Sequence, residues 1–158
     1  MPRQTTALLH LIALLCLGAV GIALVSQYLF NMRPCAWCVF QRLIYLAIAL
    51  SCWLAILFKH LPSARRVFTL LATLLSAGGI AAAWYQYNVA AKMFSCEQTF
   101  ADQFMVKSGL DANVSWLFGI YATCMDAKVH VLGIEYALWS LLLFALLGLL
   151  SLLALFRR

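Results

Sequence analysis

Arg33-Pro34-Cys35-Ala36-Trp37-Cys38-Val39-Phe40-Gln41-Arg42 joins two long apolar runs, residues 7–30 and 39–58. Those runs decide the fold class. A helix crossing the hydrocarbon of a bilayer needs about 20 apolar residues at ~1.5 Å rise each. The first run is broken only by His10, Ser26, Gln27 and Tyr28. It is longer than the ~7–15 residues of a signal-peptide core, so a retained span is expected. The apolar core of the second run opens at Leu43, which puts Gln41 and Arg42 near the outer interface. Pro34 suits the first position of the second helix, with Cys35 and Cys38 in its first turn.

Two further runs follow, residues 67–87 and 136–156. The third carries a small-residue face over residues 76–83, suited to close helix packing. Trp84, Tyr85 and Tyr87 then form an interfacial aromatic belt. The expected architecture is an all-α membrane protein, a four-helix transmembrane bundle forming one integral domain over residues 1–158. A short loop spans residues 31–38. A long one, residues 88–135, joins the third helix to the fourth. Its apolar segment at residues 114–121 is too short to cross a bilayer and reads as lying on the membrane surface or as a small packed loop core.

Composition agrees. The chain is 66% hydrophobic and 10% charged, against roughly a quarter charged in globular proteins. The net charge of +6 points to a membrane rather than to nucleic acid, because of where it lies. Arg3, Lys59, Arg65, Arg66, Arg157 and Arg158 occupy the tails and a short polar loop over residues 59–66, with no acid among them. By the positive-inside rule both termini are cytoplasmic. Cys35, Cys38, Cys96 and Cys124 then all lie outside, in an oxidising compartment. Cys16 and Cys52 fall inside spans and read as buried, inert thiols.

Outside cysteines admit two kinds of protein: a membrane protein stapled by structural disulfides, or a thiol oxidoreductase. Cys-x-x-Cys closes a small ring and recurs as a redox motif. A helix start stabilises a thiolate through the dipole and the unpaired N–H groups. Arg42 lies one turn beyond Cys38, ~6 Å along the axis. From there a cation can stabilise a thiolate or a reduced acceptor's oxyanion, and it can equally anchor to lipid headgroups. No metal site is expected, since the remaining cysteines are too far apart for a second zinc knuckle. Val39 stands where haem attachment needs His. In the chain-entropy model a Cys96–Cys124 ring stabilises by about 3.5 kcal/mol and the Cys35–Cys38 ring by about 2. The smaller ring is then the stronger oxidant, by roughly 30–40 mV. Electrons would pass from the loop pair to the membrane-surface pair.

Gln27, the stretch Pro34-Cys35-Ala36-Trp37-Cys38 with Gln41-Arg42, and Leu132-Gly133-Ile134-Glu135-Tyr136-Ala137-Leu138-Trp139-Ser140-Leu141 together resemble the DsbB family of disulfide bond formation proteins. The resemblance implies a bacterial inner-membrane enzyme that reoxidises a periplasmic DsbA-type dithiol oxidase and passes electrons to ubiquinone or menaquinone, a route known to keep bacterial periplasms oxidising. It implies that Cys35 and Cys38 are the quinone-coupled pair, with Cys38 facing the quinone and Arg42 binding or polarising it. It also implies that Cys96 forms the mixed disulfide with the partner and that Cys124 is its mate. Gln41 stands where some members carry Glu. A vitamin K epoxide reductase-like enzyme shares the quinone logic, but that family places its Cys-x-x-Cys late in the chain.

Overall fold

The computed structural model describes residues 3–92 and 99–156. Four long helices dominate: α1 (Arg3–Leu29), α2 (Ala36–Leu57), α3 (Pro62–Asn88) and α7 (Tyr136–Phe156). Each is long and apolar enough to cross a membrane. A backbone in hydrocarbon must satisfy its own polar groups, and a helix does so within one segment. The protein is thus an all-α, multi-pass membrane bundle. Large side chains such as Leu14, Ile22, Leu57 and Leu149 point outward, as lipid contact requires.

The helix ends follow local chemistry. Pro62 opens α3 at its first turn, where its missing N–H costs nothing. The helix therefore takes in Arg65 and Arg66, which the sequence assigns to the preceding loop. Pro34 behaves differently from expectation. It precedes the cap, Cys35 is the extended N-cap (ψ 172°), and α2 begins at Ala36. The Pro34 carbonyl instead accepts a hydrogen bond from Tyr121 N–H at 3.0 Å, pinning this loop to the long one.

Without a hydrophobic drive between helices in lipid, packing rests on small residues and polar contacts. Gly79 of α3 shows why: a Cβ there would overlap the Phe144 ring of α7. Phe144 stacks in turn on Tyr45 of α2, centroids 4.1 Å apart and planes 4° off parallel. The expected small-residue face thus serves helix packing.

The long loop has its own structure. A 3₁₀ turn (Ala90–Lys92) is followed by α4 (Phe100–Lys107), α5 (Leu110–Asn113) and α6 (Ser115–Phe118). Thr99 and Asp102 form a capping box at the start of α4. A hairpin pairs β1 (His130–Val131) with β2 (Ile134–Glu135). Its two-residue turn, Leu132-Gly133, has both φ values positive, as a tight hairpin demands. Phe118 is buried with Val39 and Met105, so residues 114–121 pack on α2 as a small loop core. Trp116 and Tyr121 remain exposed.

Candidate functional site

The site is built at the N-terminus of α2. Cys35 is its cap and is fully buried, while Cys38, in the first turn, is half-buried. The two sulfurs are 3.2 Å apart. Trp37, between them, packs against Tyr85 of α3 (4.8 Å) and Phe40 (5.9 Å), anchoring the pair to the bundle. Tyr85 of the expected aromatic belt is thereby committed to the site.

The long loop delivers a third sulfur. Cys124 Sγ lies 2.7 Å from Cys35 Sγ. The sulfurs form a series, Cys124 to Cys35 to Cys38, with Cys35 in the middle. Among the described residues, Cys16, Cys35, Cys38, Cys52 and Cys124 are all free thiols. Burial, the largest cause, pushes the Cys35 thiol well above its ordinary range, and its contacts with Cys124 and Cys38 add to this. Cys96, and with it the Cys96–Cys124 pairing, lies outside the described residues. Cys16 and Cys52 are fully buried in the core, away from the series.

Arg42 and Gln41 turn inward, 5% and 4% exposed, whatever their depth in the bilayer. Arg42 donates to Gln27 Oε1 (2.8 Å) and to the carbonyls of Leu117 (2.9 Å) and Ala23 (3.3 Å). Among the described residues no carboxylate forms an ion pair with it. A buried cation satisfied only by neutral oxygens leaves its charge available to an anionic neighbour.

Cys38, Arg42 and Cys124 line one cavity of about 600 Å³, walled by α1, α2 and α7 through residues such as Ala19, Ala23, Tyr45 and Leu143. That volume falls within the ~300–1,000 Å³ range of small-molecule sites. Cys38, not Cys35, meets the cavity. The arrangement pairs a thiol series with an apolar chamber that holds a cation. It sets a sulfur and a buried cation at the wall of one chamber.

Sequence reasoning did not single out Gln86, Tyr45 or Ser140 as site residues. Gln86 Nε2 reaches Cys38 Sγ at 3.2 Å. Gln86 donates from α3, and all three residues line the same cavity. The available signal was polar side chains inside apolar spans, which are rare and commonly functional.

The comparisons agree with the geometry. The family model for disulfide bond formation protein DsbB matches residues 5–154. Disulfide bond formation protein B of Dechloromonas aromatica is 32% identical, covering 82% of this chain and 79% of its own. Disulfide bond formation protein B 1 of Pseudomonas putida is 30% identical, over 100% of this chain and 98% of its own. The Cupriavidus metallidurans protein B is also 30% identical, over 100% and 97%. Four apolar helices, a Cys-x-x-Cys at a helix start and a match over nearly the whole length lead to one conclusion: this chain belongs to the DsbB family of disulfide bond formation proteins.

Proposed function

We propose that this protein reoxidises a DsbA-type dithiol oxidase outside a bacterial inner membrane and passes the electrons to a membrane quinone. Its termini then face the cytoplasm and its redox cysteines the periplasm. The observation that carries the reading is the sulfur series Cys124–Cys35–Cys38, which ends at the cavity holding Arg42.

Disulfide exchange accounts for the electrons. A partner thiolate attacks Cys96 of a Cys96–Cys124 disulfide, forming a mixed disulfide and releasing Cys124 as thiolate. Cys124, in contact with Cys35, attacks the Cys35–Cys38 disulfide at Cys35. A Cys35–Cys124 bond forms and Cys38 leaves as thiolate. The partner's second thiol attacks its own sulfur in the mixed disulfide, closing the partner disulfide and freeing Cys96. Cys96 then attacks Cys124, restores the loop disulfide and releases Cys35. The partner's two electrons now reside on the Cys35–Cys38 dithiol, which gives up two electrons and two protons when it closes again.

The residues present fit a quinone: an apolar chamber of suitable size, a reactive sulfur at its wall and a cation beside it. When bound, a quinone supplies the acceptor for two electrons and two protons. Cys38 presents the sulfur to it, and Arg42 holds a positive charge where negative charge develops on oxygen. Leu143 and Leu146 of α7 help exclude water.

The test is reduction of a short-chain ubiquinone by purified protein, driven by a reduced DsbA-type oxidase. Quinone-dependent formation of the oxidase disulfide is expected. Inert Cys35–Cys38 and loop disulfides, unaffected by either reactant, would instead mark a stapled structural protein.

A further inference from the structure

A line of hydrogen bonds crosses three helices and ends on Cys38. Gln86 Nε2 of α3 donates to Cys38 Sγ at 3.2 Å, against 3.9 Å to Cys35 Sγ. Gln86 Oε1 accepts from Gln41 Nε2 of α2 at 2.6 Å. Gln41 Oε1 accepts from Ser140 Oγ of α7 at 2.6 Å. Ser140 has one hydroxyl proton, and it is used there. Tyr45 Oη, 2.8 Å away, is then the donor to Ser140 Oγ, sharing its proton with the Ser140 carbonyl at 3.3 Å. Every donor in the line points the same way, from Tyr45 through Ser140, Gln41 and Gln86 to the sulfur. Gln41, Tyr45 and Gln86 are buried, and Ser140 is half-buried. The far end is braced by the stacking of Tyr45 on Phe144, which is seated against Gly79.

We propose that this oriented line is a charge-stabilising device: Gln86 is a further catalytic residue acting on the Cys38 thiolate, with Gln41, Ser140 and Tyr45 as its positioning residues. In a low-dielectric interior, aligned hydrogen bonds polarise one another, so the last N–H is a stronger donor than an isolated amide. A donor to the charged form of a thiol favours that form. Gln86 acts from the α3 side while Arg42 acts from the α2 side. Since the amide is nearer Cys38 than Cys35, the line selects which sulfur carries the charge. That sulfur is the one released when Cys124 attacks Cys35. The inference rests on the proposed role of Cys38 as the cavity-facing sulfur.

The titratable groups around Cys38 are Cys35 and Arg42 from α2 and its cap, Tyr136 from α7, and Cys124, Lys128, Glu135 and Arg33 from the loops lining the cavity. Tyr45 of the line also borders this cavity. Gln86→Met and Ser140→Ala alter no titratable group, so a change in Cys38 titration in those two variants reports the line itself.

The experiment uses the full-length Cys35→Ser protein in lipid nanodiscs. Alkylation of Cys38 by iodoacetamide is followed across pH by peptide mass spectrometry, which separates it from Cys124. Gln86→Met, close in size and without donors, is expected to move the alkylation midpoint up by about one pH unit. Ser140→Ala and Tyr45→Phe, milder changes that keep the packing, are expected to move it the same way by roughly a third of a unit. Unchanged midpoints in all three variants overturn the proposal. A shift in Gln86→Met alone overturns the relay through Ser140 and Tyr45. Quinone reduction by the unsubstituted protein is measured in parallel. Its absence sinks the proposed activity, while the midpoints still decide the hydrogen-bonded line.

Discussion

Cys124 Sγ and Cys35 Sγ, 89 positions apart in the chain, lie 2.7 Å from each other. Cys38 Sγ also contacts Cys35 Sγ, at 3.2 Å. In the proposed exchange the loop sulfur attacks Cys35 and releases Cys38. Without Cys38 there is no Cys35–Cys38 disulfide for Cys124 to attack. The lone Cys35 thiolate, in contact with Cys124, can instead attack Cys124 of a Cys96–Cys124 disulfide and release Cys96. A Cys38→Ser protein exposed to an oxidised environment is expected to accumulate a Cys35–Cys124 disulfide, visible in non-reducing peptide maps. A map with Cys124 joined only to Cys96 would separate the observed contact from the reaction path.

Cys35 should respond to pH later than an ordinary cysteine. Alkylation requires the thiolate, and a raised pKa lowers the thiolate fraction at every pH below it. Burial raises that of Cys35. With Cys38 and Cys124 both changed to Ser, burial remains, so the rate of Cys35 alkylation should climb only above the ordinary cysteine range of about 8.5. A pH profile matching that of a free cysteine peptide would show that the site opens to water.

Arg42 is buried and has three oxygen acceptors. If it stabilises charge on the acceptor, Arg42→Ala should cost roughly 100-fold in quinone turnover or KM. Arg42→Lys should recover only part, because an ammonium cannot reproduce the planar fork that holds Gln27 and two carbonyls together. Thiol exchange between the partner and Cys96 should continue in both. Steady-state quinone reduction, alongside trapping of the Cys96 mixed disulfide in a Cys124→Ser background, separates the two steps.

Gly79 and Gly78 are adjacent but differ in surroundings. A Cβ at Gly79 would overlap the Phe144 ring, whereas nothing lies within 4 Å of one at Gly78. Gly79→Ala should destabilise the bundle by about 1–3 kcal/mol by forcing α3 and α7 apart. Gly78→Ala should be neutral or slightly stabilising, since Ala is the better helix former. Thermal unfolding in detergent reads both. Gly79→Ala should also disturb the Tyr45 stack and slow turnover.

The basic residues Lys59, Arg65 and Arg66, between α2 and the first turns of α3, motivate a topology in which this end of the bundle is cytoplasmic and Cys96 is outside. After reduction, a membrane-impermeant thiol reagent should label Cys96 in cells whose outer membrane has been opened. Labelling only after lysis would reverse the orientation.

The four helices were legible in the sequence because hydrocarbon leaves little choice: a long apolar run must satisfy its backbone internally. The Cys-x-x-Cys at a helix start and an Arg one turn later were legible too, because both are local along one helix. Even there Pro34 was misplaced by two positions, since its carbonyl is held by Tyr121, a contact no local pattern encodes. What only the tertiary structure decided is which side chains meet across elements. Apolar periodicity is weak in helices that are hydrophobic nearly all round, so it does not set each helix's rotation about its axis. That rotation turns Arg42 and Gln41 inward, brings Gln86 to Cys38, and aligns Tyr45 with Ser140. The fold of the loop over residues 99–135, through its packing on Val39 and the tie from Tyr121 to Pro34, then carries Cys124 to Cys35.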